Sequence, residues 1–262
     1  MHQNNYTRNI LEKYNKNNLY LKNNPLPANK LQGNNQKALQ EEITIYQQYI
    51  GSLLYLALKT RPNITFTVQY CVRYCSNPRI LHFQAVNNIF SYLNKYPNLR
   101  ITYTRVNNHN LIIKAYSDSD WRNCLNSRRS TTGYLTTLSN NLISWGVTLQ
   151  KSVTLLSTEA EYITITECSK ETVYLQNIIY KLNNSLQLQI PINIPVILED
   201  NTGAIKLSHN AEFHKRTKHI DIKYHYIREL VENNKIRILY INTKEQLADP
   251  LTKLITGPIL NI

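Results

Sequence analysis

The chain has 262 residues, enough to bury a sizeable core in one large domain or two small ones. Thirty Lys and Arg against seventeen Asp and Glu give a net charge of +13, which fits a polyanionic partner, either nucleic acid or an anionic membrane face. No apolar run approaches the roughly 20 residues of a membrane span, and no signal peptide opens the chain. We therefore expect a soluble intracellular protein, in the cytoplasm or nucleus, without a membrane partner.

The first 105 residues divide into two segments of different character. Residues 1–40 are rich in Asn, Lys and Gln and show no sustained apolar period, so we expect a disordered leader. In residues 41–105 the apolar positions recur at steps of three and four, as they do in helices. Pro62 and Pro97 interrupt this pattern. The segment is therefore predicted to form a small helical subdomain with helices near 42–57, 64–75 and 80–96.

After residue 100 the apolar period changes to that of strands. Asn and Gly turn signals separate the strand-like stretches, and the hydroxyl and acidic residues at 157–161 predict the start of a long helix. The pattern predicts an α/β domain with a mixed sheet and helices on its faces. Its predicted strands lie at 101–105, 111–117, 133–138, 142–147, 152–156, 194–199 and 235–241. Its predicted helices lie at 157–182, 201–207, 220–232 and from Lys244 onwards.

Four carboxylates occupy positions that such a fold can bring together. Asp118 and Asp200 each end a predicted strand, Glu161 lies in the first turns of the long helix, and Asp249 lies on the last helix. A cluster of negative charges is relieved by hard divalent cations, and Mg²⁺ prefers oxygen ligands. Two such ions can activate a water and stabilise the leaving oxygen of a phosphodiester. The arrangement indicates nuclease chemistry, although spacing alone does not select these four among seventeen acids.

A series of sequence blocks resembles the ribonuclease H region of copia-type (Ty1/copia) retrotransposon Pol polyproteins. The blocks occur in the family's order: YSDSDW, RRSTTGY, ISW, LLSTEAEY, EDNTGAI, FHKRTKHIDIKYHYIRE and QLADPLTK. Upstream, YIGSLLYLALKTRPNITF and VRYCSNP resemble the end of the reverse transcriptase, its thumb and connecting segment. The resemblance covers about residues 44–255. One departure is Asn63, which stands where the family usually has Asp.

The resemblance implies a fold and an activity. The fold is a ribonuclease H-like mixed five-stranded sheet with flanking helices over residues 106–256, preceded by a thumb-like or connection-like remnant at 41–105. The family's catalytic and metal-binding tetrad falls on Asp118, Glu161, Asp200 and Asp249. The implied activity is a metal-dependent endoribonuclease, with two Mg²⁺ or Mn²⁺ ions, that cleaves the RNA strand of RNA–DNA hybrids.

The same resemblance bears on what the chain lacks. No Asp-Asp pair of a polymerase palm occurs in the sequence, so we expect no polymerase activity and interpret the chain as a truncated polyprotein. The reverse transcriptase of an intact element is then a candidate partner. A catalytically inactive nucleic-acid-binding remnant is the alternative function. A related integrase or resolvase is a weaker hypothesis, because those families lack the QLADPLTK block.

Three of the proposed acids have an acidic neighbour that offers an alternative. Asp120 lies two residues after Asp118, Glu159 lies two residues before Glu161, and either could assist the tetrad. Glu199 directly precedes Asp200 and is predicted to face the opposite way, as a solvated acid at the sheet edge. For each tetrad member the simpler interpretation is a surface acid or an ion pair.

Basic and hydroxyl residues supply the predicted nucleic-acid interface, whose phosphate contacts would use cations and whose 2′-hydroxyl contacts would use Ser or Thr. A solvated basic loop is the competing interpretation. His214 is also a candidate for the product-release histidine of other ribonucleases H. The predicted interface consists of Arg128, Arg129, Ser130, Thr131, His214, Lys215, Arg216, Lys218 and His219.

Overall fold

A computed structural model describes residues 1–26, 30–33, 36–105, 111–121, 124, 127–209 and 218–253, and the side chains of 218–222 are not included in that description. The chain forms two compact units. The first contains Met1–Thr102 and the second is Tyr103–Thr252. The second unit therefore begins three residues before the predicted start of the α/β domain at 106.

The first unit is helical throughout its described secondary structure. Helical periodicity predicted three of its helices, and Pro62 occupies the first turn of one of them, where its missing N–H costs nothing. The core between the helices is apolar, with Leu53, Leu56 and Ile89 fully buried. The four helices are α1 (Asn4–Lys13), α2 (Gln40–Lys59), α3 (Pro62–Val72) and α4 (Ile80–Lys95).

The predicted disorder of residues 1–40 is wrong for its described part. Helix α1 lies there, and Thr7, Ile10 and Leu11 on one of its faces are buried. Tyr14, one turn further on, donates a hydrogen bond from its hydroxyl to the Gln48 carbonyl, 3.2 Å away. These positions follow the i, i+3, i+4, i+7 spacing of an amphipathic helix. The face is only about two turns long, so the Asn-rich composition around it obscured the period.

The second unit is an α/β domain built on one five-stranded sheet, in the order β3-β2-β1-β4-β5. Strands β1, β2 and β3 form an antiparallel meander, whereas β4 pairs parallel to β1 and β5 parallel to β4. The strands are β1 (Ile113–Asp120), β2 (Thr131–Leu138), β3 (Asn141–Leu149), β4 (Val196–Glu199) and β5 (Arg237–Tyr240). The helices are α5 (Ser157–Ser185), α6 (Thr202–His209) and α7 (Lys218–Glu232).

Two of the predicted strands and the last predicted helix differ from the structure. Residues 101–105 form no strand; the Thr104 N–H there donates to the Asn141 side chain, 2.7 Å away. Residues 152–156 lead into α5 instead of pairing in the sheet. The last helix is replaced by two 3-10 turns, Thr243–Glu245 and Asp249–Leu251, and Pro250 in the second turn cannot donate the bond that a longer helix needs.

One face of the sheet packs against α5, α6 and α7. Ala115 of β1 and Ile197 of β4 lie in this core together with Tyr162 and Ile165 of α5. Because β1 and β4 are parallel neighbours, their carboxyl ends meet at one edge of the sheet. This edge is where the predicted acids lie.

Candidate metal centre

Asp118 and Asp200 are placed side by side by the register of two parallel strands. Tyr116 of β1 pairs with Leu198 of β4, so two residues further along Asp118 lies opposite Asp200. Asp118 is 2% exposed, and Asp200 is half-buried in the bend after β4. Directly after Asp200, the Asn201 side chain accepts hydrogen bonds from the N–H groups of Gly203 and Ala204, at 2.9 and 3.1 Å, and so begins α6. The short connection fixes where Asp200 leaves the sheet.

The start of α5 brings Glu161 to the same edge. Gln150, which is buried, donates from Nε2 to the Ala160 carbonyl at 3.0 Å and to Thr132 Oγ1 at 3.1 Å. These bonds anchor the first turn of α5 to β2. Glu159 makes a different contact: its Oε2 accepts a hydrogen bond from the Leu155 N–H at 2.9 Å. The structure thus separates the two neighbouring acids, with Glu159 bonded to the backbone that precedes the helix and Glu161 directed inward.

Three carboxylates converge at this edge. One oxygen each of Asp118, Glu161 and Asp200 lies within 4.8 Å of the other two. Burial raises the pKa of Glu161 well above its usual value, and the negative charges of Glu199, Asp118 and Asp200 add to the shift. The Ser119 hydroxyl lies close enough to oppose it slightly, yet neither Ser119 Oγ nor Glu161 Oε2 reaches hydrogen-bonding geometry among the described residues.

A divalent cation fits this donor set. Mg²⁺ and Mn²⁺ take carboxylate oxygens, and a bound cation would remove the repulsion that raises the pKa of Glu161. The buried Glu161 Oε2 has no hydrogen-bond partner among the described residues, which is costly for a polar atom unless a ligand satisfies it. The arrangement is therefore suited to binding a hard metal ion.

Glu199 is a further buried acid beside the three, and its predicted role as a solvated edge residue is wrong. It is fully buried; Ser117 Oγ donates to its Oε2 at 2.7 Å and the Asn201 N–H donates to its Oε1 at 3.1 Å. Burial, with a smaller contribution from the charges of Asp200 and Asp118, raises its pKa to about 8 although the two hydrogen bonds oppose the shift. Strand alternation could have shown this, because Glu199 lies two residues after the core residue Ile197.

The fourth predicted acid, Asp249, stays a prediction. It begins the second 3-10 turn and is half-buried, but it does not belong to the group of three converging carboxylates. Its main-chain carbonyl lies 3.1 Å from Thr252 Oγ1 and is a second, more distant acceptor for the single proton that this hydroxyl directs to Asp118. Asp120, the alternative to Asp118, is half-buried opposite Thr131 and is also outside the group.

Sequence reasoning missed three polar residues that contact this edge, all in or beside the QLADPLTK block. Thr252 Oγ1 donates to Asp118 Oδ2, and Thr243 Oγ1 donates to Asp200 Oδ2 at 2.7 Å. Gln246 is buried and donates from Nε2 to main-chain carbonyls of both β1 and β4. Gln246 and Thr252 belong to the block itself, and Thr243 lies three residues before it.

The predicted nucleic-acid interface is only partly on the described surface. Arg128 and Arg129 are exposed in the turn between β1 and β2, and the Arg128 N–H donates to the Cys124 carbonyl at 2.7 Å. Ser130 and Thr131, in contrast, are fully buried, and Ser130 Oγ shares a hydrogen bond with Thr154 Oγ1 at 3.1 Å. Contacts between these hydroxyls and a substrate stay a prediction, which the burial of both side chains disfavours.

The remaining predicted contacts lie outside the described residues or side chains. These are His214, Lys215 and Arg216 in the undescribed segment, and Lys218 and His219, whose side chains are not described. Separately, none of the helices in the described part of the chain combines the length and apolarity needed to cross a membrane.

The strand order, the mixed pairing and the acids at the carboxyl ends of β1 and β4 define a ribonuclease H-like α/β fold. No model of a protein family matches the sequence. Among solved structures, LC11-RNase H1 from compost overlaps 55% of this chain and 93% of its own, with a TM-score of 0.40 and 16% identity.

Curated relatives identify the family. The Pol polyprotein of transposon TNT 1-94 from Nicotiana tabacum is 39% identical over 210 residues, which are 80% of this chain and 15% of the relative. That of transposon RE1 from Arabidopsis thaliana is 40% identical over 210 residues, 80% of this chain and 14% of the relative. The chain belongs to the Pol polyprotein family of copia-type retrotransposons, and it spans about one seventh of the length of these relatives.

Proposed function

We propose that this chain is a metal-dependent endoribonuclease that cleaves the RNA strand of RNA–DNA hybrids. The observation that supports it most directly is the convergence of Asp118, Glu161 and Asp200 within 4.8 Å, with a buried carboxylate oxygen of Glu161 that lacks a hydrogen-bond partner among the described residues. Membership in the Pol family and the ribonuclease H-like fold favour this chemistry over other uses of an acidic cluster.

Asp118, Glu161 and Asp200 are the residues that would bind the metal, and we propose Asp249 as a fourth ligand. Two Mg²⁺ or Mn²⁺ ions bound there would supply activation of a water and stabilisation of the leaving oxygen. The protein orients the carboxylates through the strand register and the anchored start of α5, and the burial of Glu161 and Asp118 keeps bulk water away from them.

The proposed substrate is an RNA–DNA hybrid. The net charge of +13 favours a polyanion, and Arg128 and Arg129 are exposed in the turn that follows β1, whose end contains Asp118. Cationic side chains at that edge would contact the phosphates of a bound duplex. A 2′-hydroxyl distinguishes the RNA strand from the DNA strand at the site of cleavage.

The test is cleavage of a labelled RNA–DNA hybrid in Mg²⁺ or Mn²⁺ by the wild-type chain and by Asp200→Asn. We expect the wild type to cut the RNA strand, to leave double-stranded DNA intact, and to lose cleavage in EDTA. Asp200→Asn should bind the hybrid without cutting it, because it keeps the shape of the site and removes one charged ligand. Tight hybrid binding by the wild type without cleavage in either metal would contradict the proposal and support the inactive nucleic-acid-binding alternative.

A further inference from the structure

The segment after β5 contacts both metal-site aspartates through hydroxyl groups. Thr243, in the first 3-10 turn, donates from Oγ1 to Asp200 Oδ2 at 2.7 Å. Thr252, directly after the second turn, donates from Oγ1 to Asp118 Oδ2. Each hydroxyl restricts the rotation of one carboxylate. The two threonines are nine residues apart, and they reach acids that belong to two different strands.

Between the threonines, Gln246 ties the same segment to the main chain of those two strands. Its side chain is 4% exposed, and Nε2 donates to the Ser117 carbonyl at 2.9 Å and to the Leu198 carbonyl at 3.3 Å. Its Oε1 accepts the Ala248 N–H at 3.2 Å. All the polar groups of this amide are thereby used in fixing residues 243–252 across the carboxyl ends of β1 and β4.

Gly133 makes the approach of Thr252 possible. It lies opposite Asp118 in the register of β1 and β2. A Cβ at position 133 would lie 2.5 Å from Thr252 Cγ2, closer than real Cβ atoms approach, and 3.0 Å from Leu251 Cβ, tighter than most such contacts. A side chain there would displace the segment and withdraw the Thr252 hydroxyl from Asp118. A glycine at this register position is therefore a condition for the contact.

From these contacts we infer that residues 243–252 form a C-terminal clamp whose Thr252 and Thr243 hydroxyls are positioning groups for Asp118 and Asp200. The clamp sets the orientation of both carboxylates before a metal ion binds, and Gln246 sets its distance from the sheet. This inference rests on the proposed function, since it assigns a role at the same metal site. It also assigns a role to Gln246 and Thr252, two residues of the QLADPLTK block other than Asp249.

Metal binding tests the clamp independently of cleavage. Outer groups that orient metal ligands typically change metal affinity by about 10–100-fold when removed. In calorimetric titration of the full chain with Mn²⁺, Thr252→Val should bind about tenfold more weakly, because valine keeps the shape but lacks the hydroxyl. Thr252→Ser keeps the hydroxyl and should bind within about twofold of wild type. The Mn²⁺ concentration for half-maximal cleavage should shift by the same factor, with KM for the hybrid unchanged.

A second variant guards against a folding defect in Thr252→Val. Thr243 is exposed, so Thr243→Val should leave unfolding unchanged and still weaken Mn²⁺ binding several-fold. Wild-type affinity in both valine variants, or equal loss in Thr252→Val and Thr252→Ser, would overturn the clamp. Wild-type Mn²⁺ binding without hybrid cleavage would contradict the proposed function alone, and the titrations would still decide on the clamp. If the wild type neither bound Mn²⁺ nor cleaved, both proposals would fail together.

Discussion

The two units bury charge in opposite ways. In the first unit the guanidinium of Arg61 is 2% exposed and has neutral partners: Nε donates to Asn63 Oδ1 at 3.2 Å and Nη1 to the Tyr96 carbonyl at 3.0 Å. Burial lowers the pKa of Arg61 to about 10. In the second unit Glu161 and Glu199 are buried beside two aspartates, and burial together with like charges raises their pKa values.

This difference distinguishes a buried structural charge from the proposed metal site. Among its described residues the first unit buries the guanidinium of Arg61, which hydrogen bonds satisfy only in part, so adding a nearby anion should stabilise the unit. The second unit concentrates like charges at one sheet edge, an arrangement that costs folding free energy unless a cation binds. Adding a negative charge should therefore stabilise the first unit and destabilise the second, whereas removing one from the sheet edge should stabilise the metal-free second unit.

The largest expected effect distinguishes Glu161 from its neighbour Glu159. Loss of a metal ligand removes several kcal/mol of transition-state stabilisation, so Glu161→Gln should lower kcat for hybrid cleavage on the order of 10³-fold. Glu159→Gln is the matched control, because a glutamine oxygen can still accept the Leu155 N–H. It should retain activity within about threefold. Equal losses in single-turnover cleavage by the two variants would contradict the assignment of Glu161.

The second prediction concerns the buried carboxyl of Glu199 in metal-free protein. Its pKa is about 8 in the folded chain against 4.5 when solvated, so the folded state binds this proton more tightly. Wild-type stability should therefore be complete below pH 4.5 and decline as the pH rises towards 8. Glu199→Gln removes the contribution of Glu199 to this decline and should unfold with a free energy ~2–4 kcal/mol higher than wild type at pH 9.

Urea unfolding in EDTA, followed by tryptophan fluorescence, measures the stability of the second unit, which contains Glu199. Both tryptophans, Trp121 and Trp145, belong to the second unit. Near pH 5 the two proteins should unfold almost alike, since the wild-type carboxyl is then protonated in the folded state. A wild type that is the more stable protein at pH 9 would show that Glu199 is favourably ionised.

The third prediction adds a carboxylate to the first unit, whereas Glu199→Gln removes one from the second. Asn63→Asp places a carboxylate beside Arg61 Nε, and the Tyr92 hydroxyl, now 2.6 Å from Asn63 Nδ2, can donate to it. We expect about 1–3 kcal/mol of stabilisation from the charged hydrogen bond. The protection of the α3 and α4 amides from hydrogen exchange measures this stabilisation. Asn63→Ala removes the hydrogen-bond partner of Arg61 Nε and should lower that protection. Reduced protection in Asn63→Asp would mean that desolvation of the new carboxylate outweighs the pairing.

Much of this organisation was predictable from local pattern. Helical periodicity predicted α2, α3 and α4, and turn signals predicted all five strands of the sheet, because both depend on neighbours in sequence. Three converging acids followed from resemblance, since spacing could not select them among seventeen. The burial of Glu199 was open to prediction from strand alternation, whereas the contact of Thr252 with Asp118 depends on the approach of a distant segment. No local pattern encodes the approach of a distant segment. Helix α1 was not predicted because its apolar face is short and the surrounding sequence is rich in Asn.

The smallest expected effect concerns hybrid binding by the turn between β1 and β2. Each phosphate contact that is lost should reduce the slope of log affinity against log salt by about 1. In an Asp200→Asn background, which prevents cleavage, Arg128→Ala with Arg129→Ala should therefore lower the slope by up to ~2 and weaken binding several-fold near 0.1 M salt. Lys181→Ala is the control for net charge: it is exposed on α5, and its Cα lies about 30 Å along the helix from that of Glu161. Because the control removes one charge and the arginine variant two, a slope change about half as large in the control would mean that the overall charge of +13, and not this turn, holds the hybrid.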